Sequence, residues 1–262
     1  MLLNIFVELL LLLLIIILSC FICGVTFYIV SILYAVQEDI DNQKEKSKII
    51  YLWSFLITVT TSIIDLILEI VLEKLVKWEK HKTLTNFYLS YSKKLTLFSF
   101  INSALIPFFV DRDSSKGHAI LIDNMLMKFL VNDFVTPLMW TINFSCVKKK
   151  YRQYLIEREG ENTYYNQKEL NELYELQNMN VAARYSYIAK TLLMTFLFIP
   201  IFPLGLGISL LGFIFAYWIE KYNFANMYKK PEKLDKQIAE YYSNYFILIF
   251  YAYYLGDSFF VW

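Results

Sequence analysis

From residue 9 to residue 36 the sequence carries no charged side chain, and most of the run is Leu, Ile, Val and Phe. A bilayer core takes about 20 apolar residues as a helix, so this run is long enough to cross one. It is not read as a secretory leader. Glu8 is its only early charge, no basic segment precedes it, and the apolar stretch is longer than a leader's apolar region.

Six further apolar stretches follow, at about 50–76, 95–110, 119–147, 185–200, 203–218 and 242–260. Of 262 residues, 57% are hydrophobic and 19% charged, and the mean hydropathy is +0.42. An ordinary soluble domain carries about 25% charge. The expected fold is therefore an all-α, polytopic membrane protein with about seven transmembrane helices. No segment is left that could fold as a separate catalytic domain.

The loops set the orientation. Seventeen Lys and Arg fall in the 77–94, 148–184 and 219–241 connections, against five in the other three. Basic loops stay cytoplasmic, which places the 148–184 loop and the N-terminus inside and Trp262 outside. Within that loop, Asn166 followed three residues later by Glu169 is a capping-box pattern. Leu170, Leu173 and Tyr174 share a face of the short helix it opens. A net charge of +1 suggests no nucleic-acid partner. Cys20 and Cys23 lie inside the first apolar run and are read as small membrane-helix residues.

In such a chain the informative residues are polar ones at bilayer depth. A carboxylate at mid-bilayer costs at least about 2.5–3.5 kcal/mol. Thr58, Ser62, Asp65, Glu69 and Glu73 recur at spacings that place them on one helical face. They read either as the cation-attracting wall of a conduit or as structural glue paired with Lys74, Lys128 or Lys190. A second stripe, Asn132, Thr136 and Asn143, has Asp133 beside it and Pro137 one residue after Thr136; Asn124 and Lys128 continue it outward. A proline in a span frees a backbone carbonyl. Amides beside it suit ion coordination or interhelical hydrogen bonding. Asn102 and Ser103 lie in the third stretch, and Lys190, Thr191 and Thr195 in the fifth. Gly205, Gly207 and Gly212 are read as close-packing positions. The pore-lining candidates are thus Thr58, Ser62, Asp65, Glu69, Asn102, Asn132, Asp133, Thr136, Asn143 and Lys190. His81 and His118 fall on opposite sides, no metal-ligand spacing occurs, and no nucleophile or phosphate-loop motif is present. No catalytic residue, metal or cofactor is expected, and the chain is not read as an enzyme.

Three motifs occur in order. The first is Trp78-Glu79-Lys80-His81, followed by Lys93-Lys94-Leu95-Thr96-Leu97-Phe98-Ser99-Phe100-Ile101-Asn102. The second is Glu169-Leu170-Asn171-Glu172-Leu173-Tyr174-Glu175, followed by Ala183-Arg184-Tyr185. The third is Tyr217-Trp218-Ile219-Glu220-Lys221-Tyr222, followed by Tyr228-Lys229-Lys230-Pro231. Over about residues 50–235 the chain resembles the seven-helix region of OSCA-type calcium-permeable, stress-gated cation channels, within the OSCA/anoctamin/TMC superfamily.

The resemblance implies a pore within each subunit, lined by the helices matching the first five stretches, and a homodimer. It also implies further helices and a cytoplasmic domain ahead of the matching segment and one more helix after it, so the chain is expected to be a fragment or a reduced relative. Anoctamins bind Ca²⁺ through carboxylates on the helices matching the fourth to sixth stretches. Here the fifth has no acid and the sixth only Glu220, so that activation site is not expected. The function expected is a cation channel, gated mechanically or osmotically and permeable to calcium, in the plasma membrane or an endomembrane, with lipids and permeant cations as partners. The alternatives are a lipid scramblase of anoctamin type and a structural membrane subunit without transport.

Overall fold

The computed structural model describes residues 2–42, 47–79, 81–112, 119–141, 144–159, 166–176, 178–229 and 235–260. Its elements are helices: α1 (Leu2–Asn42), α2 (Ser47–Trp78), α3 (Leu84–Phe100), α4 (Ile106–Arg112), α5 (Ala119–Leu130), α6 (Thr136–Thr141), α7 (Phe144–Glu159), α8 (Gln167–Tyr174), α9 (Val181–Phe198), α10 (Leu204–Asn226) and α11 (Gln237–Phe260). Among the described residues four helical runs are long and apolar enough to cross a membrane: Ile16–Gln37, Leu52–Trp78, Leu84–Val110 and Leu204–Asn226. Large apolar side chains such as Phe21, Tyr28, Leu211, Ile214 and Phe250 are exposed on the outside of the bundle, as a lipid solvent requires.

Several helices are longer than their apolar stretches. The third starts at Leu84, so Lys93 and Lys94 lie within α3 and not in a turn. Both charges have partners: Lys94 pairs with Glu79, and Lys93 sits 4.3 Å over the Tyr241 ring. Glu79 also meets His81 (2.8 Å) and accepts from Ser90 (3.2 Å), which ties the α2–α3 turn to α3. Thr83 caps α3 by accepting from the Asn86 amide at 3.2 Å. Likewise α9 begins at Val181, because Asn180 accepts from the Ala183 amide. At the start of α8, Glu169 accepts from the Asn166 amide at 3.2 Å, as the capping pattern predicts.

Two interruptions matter most. Between α3 and α4, residues Ile101–Leu105 form a π turn; a second, Val131–Val135, separates α5 from α6. Each ends two residues before a proline, Pro107 and Pro137. A proline has no N–H and its ring clashes with the carbonyl one α-turn back. Widening the turn moves that carbonyl aside, so the helix passes through the proline without breaking.

The core is arranged around α9, most of whose side chains are buried. One cluster joins Leu68, Leu72 and Val76 of α2 to Tyr91, Leu95 and Phe98 of α3 and to Ala182 of α9. Another joins Phe108, Met125 and Phe129 to Met194, Leu197 and Phe198. Lipid gives helices no hydrophobic drive to associate, so close approach at small residues carries the packing. A Cβ on Gly212 would overlap the Asp133 side chain, and one on Gly256 would overlap the Leu197 carbonyl. Gly205 is hemmed in by Phe129 and Phe202, whereas Gly207 faces open space and needs no close-packing explanation.

Candidate functional site

The acidic face of α2 is the starting point. Thr58 and Ser62 turn their hydroxyl hydrogens back to their own helix, onto the carbonyls of Ser54 and Thr58, each at 2.8 Å. Asp65 is held from two other helices. Asn102 Nδ2 donates to its Oδ1 at 2.5 Å, Ser103 Oγ to its Oδ2 at 2.6 Å, and the Lys190 ammonium lies 3.6 Å from Oδ2. Asn102 and Ser103 are consecutive, yet both reach one carboxylate. The π turn that carries them has a smaller angular step per residue, which brings neighbours toward the same face.

One layer away, Lys128 is buried and its ammonium donates to the Thr61 hydroxyl. In the second π turn, Asn132 Nδ2 donates to Asp133 Oδ1 at 2.8 Å and to the Thr191 hydroxyl at 2.9 Å. Tyr187 donates to the Asn132 carbonyl at 3.2 Å.

Between α2, α3, the α5–α6 helix and α9 lies a cavity of about 270 Å³. Ser62, Asp65, Glu69, Asn132, Thr136 and Lys190 line it, together with Lys128, Arg184 and Trp140. Ile63, Leu66 and Val135 also line it and are 51%, 42% and 44% exposed, so the cavity opens sideways between α2 and the π turn ahead of α6. At the end nearer the basic loops, Arg184 pairs with Glu220 at 2.6 Å and stacks 3.7 Å over Trp140.

Six of the ten sequence candidates therefore meet at one cavity. Asn102 stands behind Asp65 as its donor. Thr58 is buried above the cavity and does not line it. Asp133 is fully buried and points away, against Gly212 of α10. Asn143 lies outside the described residues. Lys190 pairs with Asp65, the partner that the glue reading anticipates. Sequence reasoning left Lys128, Arg184, Trp140 and Tyr187 off the list of lining residues. Hydropathy alone places Arg184 in a loop; the signal that places it in a helix is the N-capping Asn180 four residues earlier.

A helical bundle with apolar outer faces and four runs long and apolar enough to cross a bilayer is that of an integral, multi-pass membrane protein. The family model described as "Anoctamin: Calcium-activated chloride channel" matches residues 1–254, and the chain belongs to the anoctamin family. That makes it a relative of ion channels and scramblases and not of enzymes. No curated protein matches the sequence.

The family description names calcium, and the residues present do not fit a Ca²⁺ site on these helices. Ca²⁺ takes six to eight oxygen ligands, mostly carboxylate and carbonyl. Among the described residues no three His, Cys, Asp or Glu side chains gather where a metal could be held. Glu220 is engaged by a guanidinium.

Proposed function

We propose that this chain moves ions across the membrane through the cavity between α2, α3, α5–α6 and α9. The observation that carries the proposal is the convergence of Asp65, Glu69, Lys128, Asn132 and Lys190, from three helical runs, around one cavity; the apolar run Leu52–Trp78 that carries Asp65 and Glu69 is long enough to cross a bilayer, which supports reading that cavity at bilayer depth. Ionisable side chains are costly there, and their grouping around open space, not around each other alone, favours a water-filled path.

Charge selection by this path is weak. Lys190 offsets Asp65, and Glu220 offsets Arg184. Lys128 and Glu69 then remain as opposite charges on the lining, so cations and anions both pass. The finer form of the proposal keeps calcium among the permeant cations, takes membrane tension or osmotic stress as the stimulus, as the resemblance to OSCA-type channels implies, and assembles the chain as a homodimer. Patch recording from reconstituted protein tests it. Tension-evoked current with a reversal potential near zero in a salt gradient is expected; no current at any tension would overturn it.

A second reading, lipid scrambling, is favoured by the sideways opening at Ile63, Leu66 and Val135. A slot of this kind admits a polar headgroup while its acyl chains stay in the bilayer. Vesicles with fluorescent lipid decide between the two: a channel leaves the inner-leaflet label protected from a membrane-impermeant quencher, and a scramblase exposes it.

A further inference from the structure

The Arg184–Glu220 pair draws on three helices. Arg184 lies in the first turn of α9, Nε is 2.6 Å from Glu220 Oε1 on α10, and Nη2 donates to the Tyr228 hydroxyl at 2.9 Å just past that helix. The guanidinium plane stacks at 3.7 Å on Trp140 of α6, and Trp140 meets the Tyr187 ring edge-on at 4.9 Å. Both charged side chains are mostly buried, at 16% and 21% exposure. A planar fork that can stack and pair at once suits this position in a way a lysine would not. On its other side Arg184 lines the transport cavity, as does Glu69 of α2.

We infer that a cation built into the chain, the Arg184 guanidinium, ties the ends of α6, α9 and α10 together at the mouth of the cavity, in the role a bound divalent ion would otherwise fill, so that the pathway does not respond to Ca²⁺. Glu220 already has a countercharge 2.6 Å away, which opposes the binding of a divalent ion at the same carboxylate. The acid in the π turn ahead of α6 cannot help. Asp133 packs against Gly212, eight residues from Glu220, which is about 12 Å of helix rise. The family description would lead one to expect the opposite behaviour.

The test uses the full chain, purified and reconstituted, with calcium chloride or a chelator, and reads the thermal unfolding midpoint beside ion and lipid flux. The unfolding readout does not depend on transport, so it separates this inference from the transport proposal on which it rests. Calcium is expected to leave the midpoint and the flux of the unmodified chain unchanged. A calcium-dependent rise in either would overturn the inference. Arg184→Glu sets a second carboxylate against Glu220; its midpoint is expected to fall in chelator and to recover when Ca²⁺ is added, which a residue that merely packs would not produce. Arg184→Gln removes the charge with less repulsion and keeps the test open if Arg184→Glu does not fold. It is expected to lower the midpoint and alter basal flux, and an unchanged midpoint and flux would overturn the clamp.

Discussion

The hydroxyl of Tyr187 donates to the carbonyl oxygen of Asn132, 3.2 Å away, and Pro137, five residues further on, has no N–H to offer that carbonyl. In the π turn Val131–Val135 the bonds run five residues back, as from the Thr136 amide to the Val131 carbonyl. The next bond would run from residue 137 to Asn132, and proline has no hydrogen to give. A tyrosine from α9 supplies it. The helix irregularity that shapes the cavity is thus completed from a different helix.

Tyr187→Phe should therefore destabilise the protein by about 1–3 kcal/mol, the cost of leaving a buried polar group unpaired. Pro137→Ala restores an N–H at the right position. In the double variant the added loss from Tyr187→Phe should shrink toward zero. A double-mutant cycle on unfolding in detergent checks it; strictly additive losses would show that the tyrosine does not serve this carbonyl.

Asp65 and Lys190 stand 3.6 Å apart between α2 and α9, both mostly shielded. Removing one partner of a buried pair costs about 3–5 kcal/mol, whereas replacing both is far milder. Asp65→Asn and Lys190→Met should each lower the unfolding midpoint more than the two combined. The expected order is lost if Asn102 and Ser103 alone hold Asp65.

Gly212→Ala pushes a methyl into Asp133, and α10 and the α5–α6 helix must separate to admit it. Overpacking of this kind costs about 1–3 kcal/mol. Gly207→Ala, on the same helix, meets nothing within 4 Å and should be neutral or stabilising by up to about 1 kcal/mol, the propensity gain of alanine over glycine. Melting curves of the two variants side by side make the comparison.

Lys128 and Glu69 oppose each other on the cavity lining. Lys128→Met should shift the reversal potential toward cation selectivity, and Glu69→Gln toward anion selectivity. Bi-ionic recordings measure both. Shifts in the same direction would show that ions do not pass these side chains.

The α2 stripe was legible because helical period alone puts Ser62, Asp65 and Glu69 on one face, and all three do line the cavity. Pro137 signalled a disturbed turn. Pro107 signals the matching one, Ile101–Leu105, in the same way. Hydropathy does not show the start of α9, because the apolar stretch begins at Tyr185 while the helix begins after its cap, Asn180. Asp133 sits beside Asn132 in the chain and was grouped with it. The two side chains part company because a glycine on α10 makes room for one of them.

The sequence by itself determined that the chain is a multi-pass membrane protein and which polar residues share the inner face of α2. Those properties depend on composition within a window and on the period of one helix. The tertiary structure decided that Asp65 belongs to Lys190, Asn102 and Ser103, that Asp133 turns from the cavity, and that Arg184 closes on Glu220. These are distances between helices, set by where the π turns rotate the chain and where glycines let two backbones approach, and neither is local to any stretch of sequence.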